Sequence, residues 1–133
     1  MANATAVLIY ETAIPIRVNC AEVAAFEKGD CVTFTGAANN LTVAITSANN
    51  DIFAGIVAEE KIANVGTTVS VYRNGYFRVE VGSSDATIGL DATIEAKNEF
   101  TDGATLDGEK GISWGRFLET GTDGQFVTVE LGV

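Results

Sequence analysis

A chain of 133 residues, 47% hydrophobic and 20% charged, fits one domain with a sizeable core rather than a disordered tail. Its 8 basic and 18 acidic residues leave a net charge of −10, which repels nucleic acid and anionic membranes. The sequence holds no histidine, so Ser-His-Asp and Cys-His catalysis and imidazole metal sites are excluded.

The chain opens without a basic cluster, and the apolar run from Ala6 to Tyr10 is too short for an export signal. No stretch approaches the ~20 apolar residues of a membrane helix, so synthesis in the cytoplasm is expected. Residues 1–18 hold the only proline, as Ile14-Pro15-Ile16, and few turn signals. Such an extended apolar stretch suits an edge strand or an arm that pairs with another chain, and equally the first strand of the fold. From Asn19 to Lys28 the sequence allows one short helix, capped by Asn19 and stopped by Gly29, or a loop. Cys20 and Cys31 form no metal motif, because two thiolates cannot complete a structural zinc site. One disulfide or two buried thiols are both open, the thiols being the simpler reading.

The rest reads as β-structure. Val, Ile and Thr total 39 residues while Leu occurs 6 times, and β-branched side chains favour pleated surfaces. Phe77, Val79 and Val81 alternate with Tyr76, Arg78 and Glu80, and Val127, Val129 and Leu131 with Thr128 and Glu130. Arg73-Asn74-Gly75 lies between two such runs and predicts a bulged hairpin pairing Val71 with Phe77 and Val69 with Val79.

A repeat of sixty residues runs through the chain: Gly29 and Gly89, Thr33 and Thr93, Ile52 and Ile112, Gly55 and Gly115, Glu59 and Glu119. The expected fold is therefore all-β: a single small β-barrel or sandwich domain over 19–133, with pseudo-repeated halves near 19–82 and 83–133 and an N-terminal arm over 1–18.

Candidate chemistry is sparse. Glu59, Glu60 and Glu119 are the best carboxylates, but nothing in the sequence tunes a pair of them apart. Lys61 lacks the tight hairpin tip of a swinging-arm lysine. The acidic stretch 101–109 lacks the spacing of a calcium loop, and no phosphate-loop motif occurs. No catalytic, cofactor-binding or metal-ligating residue is assigned, and no enzymatic activity is expected. Candidate interface residues are Val7, Leu8, Ile9, Tyr10, Ile14, Pro15 and Ile16 of the arm, with Trp114, the lone tryptophan.

Three strings carry a resemblance: Ala25-Phe26-Glu27-Lys28-Gly29-Asp30-Cys31-Val32, Phe53-Ala54-Gly55-Ile56-Val57-Ala58-Glu59-Glu60-Lys61, and Gly115-Arg116-Phe117-Leu118-Glu119 leading to Val127-Thr128-Val129. They resemble head decoration (cement) proteins of tailed double-stranded DNA viruses, over about residues 19–133. The resemblance implies an all-β virion protein on the outer capsid surface. Such a protein binds the major capsid (coat) protein, commonly as a homotrimer, and bridges neighbouring coat subunits. Its motifs are turns and strands, so no site residue is carried over. A ligand- or cofactor-carrying barrel and another virion component, such as a tail or fibre module, are the alternatives.

Overall fold

The computed structural model describes residues 5–11, 14–34, 41–45, 52–83, 85–96, 98–102 and 115–132. Eleven strands are present: β1 (Val7–Tyr10), β2 (Ile16–Cys20), β3 (Cys31–Phe34), β4 (Thr42–Ile45), β5 (Ile52–Val57), β6 (Thr68–Tyr72), β7 (Gly75–Val81), β8 (Asp91–Ala96), β9 (Glu99–Asp102), β10 (Gly115–Phe117) and β11 (Phe126–Leu131). No helix occurs among the described residues; Asn19 and Cys20 finish a strand, and 21–30 form turns.

Strands β2-β4-β3-β5-β6 close a barrel. The other sheet runs β1-β7-β11-β10-β8-β9, and an added β7–β9 pairing closes its last five strands into a ring of the same order. Each ring is antiparallel except for one parallel pair, β2–β4 in the first and β7–β9 in the second. The expected repeat is thus two barrels fused in one small all-β domain. The join lies at Arg73-Asn74, ahead of the break expected near residue 82, because β6 ends at Tyr72 and β7 starts at Gly75.

Glycines explain why the repeat shows in the sequence. Gly55 opposes Val32 across β3–β5, and Gly115 opposes Ala92 across β8–β10. A side chain at Gly55 would strike the carbonyl oxygen of Tyr72, and one at Gly115 that of Glu130. Both barrels therefore need a residue without Cβ where the next strand crosses close by.

Side-chain alternation fills two cores. Val18, Phe26, Val32, Val43, Val57, Val69 and Val71 pack inside the first barrel. The second core gathers Phe77, Val79, Phe100, Phe117, Val127 and Val129, and it also takes in Ala6, Cys31 and Ile56. A buried polar link crosses the same seam. The Asn98 amide nitrogen donates to Asp30 Oδ1 at 3.1 Å, and Asn98 Oδ1 accepts from the Cys31 backbone N–H at 2.7 Å. Glu80, on the nominally outward face of β7, is also buried, at 1% exposure.

The hairpin expected across Arg73-Asn74-Gly75 does not form. β6 pairs with β2 and β5, whereas β7 pairs with β1, β11 and β9. The inward faces of β6 and β7 each complete a separate core, so the link carries the chain from one barrel to the next. Gly75 still matters, for a different reason. Its φ is +144°, and a Cβ there would lie 2.8 Å from Phe77 Cε1 and 3.0 Å from the Tyr10 carbonyl oxygen. Gly75→Val is expected to destabilise by about 1–3 kcal/mol, and an unchanged melting temperature would refute it.

No disulfide joins Cys20 and Cys31; both are buried thiols, and they belong to different cores. Burial, with the Asp30 carboxylate adding to it, pushes the Cys31 thiol far above its ordinary value of 9.0. The folded state therefore keeps a proton that the unfolded chain releases. This contribution is complete below about pH 9 and is lost as pH rises above it. The stability difference between about pH 8 and about pH 10 is expected to shrink in Cys31→Ala, as measured by urea titration.

Candidate interaction surface

Among the described residues, no group of three or more Cys, Asp or Glu side chains converges to hold a metal ion. Glu59 and Glu119 occupy equivalent turns of different barrels. Glu119 Oε1 accepts from the Thr128 backbone N–H at 2.8 Å and lies 3.8 Å from Arg78 Nη1. That carboxylate straps its turn to β11.

Lys61 is buried, and its ammonium donates to the carbonyl oxygens of Glu22, Ala24 and Ile62 at 3.0, 2.7 and 3.3 Å. A side chain held by three carbonyls fastens two turns together and cannot swing out as a carrier arm. Beside it lies a shallow depression of about 200 Å³ that includes Arg17, Glu59, Glu60, Ile62 and Val65. The Arg17 guanidinium is occupied by Ser70 Oγ and Thr68 Oγ1. Most of the acidic stretch 101–109 lies outside the described residues, as does Trp114.

The N-terminal candidates lie on and just after β1. β1 is the outermost strand of the six-stranded sheet, and among the described residues it pairs only with β7. It is built in rather than appended: Ala6 is buried and Leu8 packs on the second core. Its other side chains face out, with Val7 56%, Ile9 37% and Tyr10 65% exposed. Ile14 is 85% and Ile16 42% exposed, and Pro15 is half-buried.

Register extends this surface across the sheet. Tyr10 opposes Tyr76, Tyr76 opposes Glu130, and Glu130 opposes Arg116; one row along, Val7 opposes Arg78. The Tyr10 and Tyr76 rings meet edge to face, with centroids 5.7 Å apart. Tyr76 and Arg78 were absent from the expected interface. Their outward alternation is legible, but the pairing that sets Tyr76 beside Tyr10 joins segments separated in sequence by the whole first barrel. Tyrosine, arginine and aliphatic side chains thus share this face of the sheet.

No family model and no curated protein matches the sequence. Among solved structures, 90% of the chain superposes on 93% of the N base of head fibre gp8.5 from bacteriophage phi29, with a TM-score of 0.54. The chain has the fold of that fibre base. Sequence identity is 16%, so the likeness is one of architecture.

Proposed function

We propose that this chain is a structural virion protein that binds the outer surface of an icosahedral capsid and bridges coat subunits as a homotrimer. The observation that carries this reading is the fold shared along nearly the whole chain with a phage head-fibre base. The Tyr10–Tyr76 sheet face supplies a contact surface, and the open edge of β1 offers backbone groups for strand addition. No catalytic role is part of the reading. A subunit tied to several coat proteins leaves only when every contact breaks together, so modest contacts add up to firm attachment. A net charge of −10 keeps an outward-facing coat soluble.

The same comparison favours a second reading within the virion, in which the two barrels form the base of a head fibre. A ligand-carrying barrel has less support, because described side chains fill both barrel interiors.

The test is co-sedimentation with shells of the virus's own coat protein, with mass in solution measured by light scattering. The wild-type protein is expected to bind in a fixed ratio. Tyr10→Ser with Ile9→Ser is expected to bind at least about tenfold more weakly, with melting lowered only by the few degrees that loss of the Tyr10–Tyr76 ring contact costs. Wild-type protein that ignores shells would overturn the reading. Deleting the whole arm is a poorer test, since it removes Ala6 and Leu8 from the core.

A further inference from the structure

The two barrels close their ends with similar turns but different side chains. In the first, Asn64 N–H donates to the Glu22 carbonyl at 2.7 Å, and Val65 N–H to that of Ile62 at 3.2 Å. In the second, Gly124 N–H donates to Val81 and Gln125 N–H to Thr122, both at 2.9 Å. The bridge Phe26↔Lys61 recurs as Ala86↔Gly121. Lys61 further pins the 22–24 turn to the 62–65 turn, so Val23, Ile62 and Val65 stand on one rim, 71%, 64% and 61% exposed. Sixty positions on are Ser83, Thr122 and Gln125, which are also exposed. The second barrel shows that this turn geometry needs no apolar side chain. The first nevertheless keeps three in water, the mark of a surface made to be covered.

Charge selects what covers it. Glu22, Glu59 and Glu60 are exposed around the rim, Lys61 is buried with its ammonium on carbonyls, and the exposed Arg17, which stays charged while donating to the Ser70 and Thr68 hydroxyls, offsets one of the three carboxylates. Two such rims face to face would bring six carboxylates together in a chain that already carries −10. We infer that the first-barrel rim docks a folded protein surface with an apolar centre flanked by Lys and Arg. Resting on the virion reading above, this surface belongs to the coat shell. The rim then gives the subunit a second contact besides the β1–β7 sheet face, as bridging requires.

The experiment transplants the second barrel's own solution, Val23→Ser, Ile62→Thr and Val65→Gln together, and separately reverses charge with Glu59→Lys and Glu60→Lys. Each protein is titrated against coat-protein shells at low and high salt, with melting and mass in solution followed in parallel. The triple variant is expected to melt as the wild type does and to bind shells at least about tenfold more weakly. The charge reversal is expected to weaken binding and flatten its salt dependence. Undiminished binding by the triple variant would overturn the rim and leave the virion reading standing. Unchanged binding by the charge reversal would overturn the basic partner. A wild-type oligomer that only the triple variant dissociates would make the occupant a second copy and also overturn the inference. Wild-type protein that does not bind shells would remove the virion reading and the rim with it.

Discussion

Phe77→Ala is expected to cost about 3–5 kcal/mol of unfolding free energy. Its ring is 1% exposed and meets that of Tyr72 with centroids 5.7 Å apart. Gly75 leaves room beside it that no other residue would. The surrounding core contains Cys31 and Ile56 of the first barrel as well as Val79 and Val129 of the second. The cavity therefore weakens the whole molecule, and a single transition should shift to lower urea without a change in slope. A loss below about 1 kcal/mol, or two separate transitions with one unmoved, would contradict this account.

Asp30→Ala should follow, at about 2–4 kcal/mol. The carboxylate is 5% exposed, with Oδ2 accepting from the Glu27 backbone N–H at 2.8 Å and Oδ1 from the Asn98 amide at 3.1 Å. Truncation withdraws an acceptor from both donors and loosens the residue that caps the Cys31 backbone N–H. Asp30→Asn keeps an acceptor oxygen and should recover part of the loss. Equal damage from both substitutions, in denaturant titrations at pH 7, would point to charge rather than to hydrogen bonding.

The strand class and the duplication were legible because both rest on local rules. Alternation of Phe77, Val79 and Val81 is a period-two signal, and the paired glycines at 55 and 115 mark a close strand crossing that each barrel repeats. The pairing of β6 and β7 was not legible. Two runs with matching apolar faces around Asn-Gly look like a hairpin, and only the demand of two separate cores sends them apart. Burial of Lys61 and Glu80 escaped for the same reason, since a charged residue beside a turn or on an alternate position reads as solvated. Of the candidate surface, the apolar stretch 7–16 is visible in the sequence itself. Tyr76, Arg78 and the rim at Val23, Ile62 and Val65 are not, because each needs the fold to bring distant segments together.

The placement of β1 sets an order of events during synthesis. Val7–Tyr10 is made ahead of the first barrel, yet its partner is β7, which follows the complete first barrel. At about 5–20 residues per second, the N-terminal strand waits several seconds while roughly 70 further residues are translated. During that interval the first barrel can close on the ribosome, but β1 has no strand of its own chain to join. Closure of the six-stranded sheet along this edge therefore trails closure of the first barrel, because it joins segments far apart in sequence.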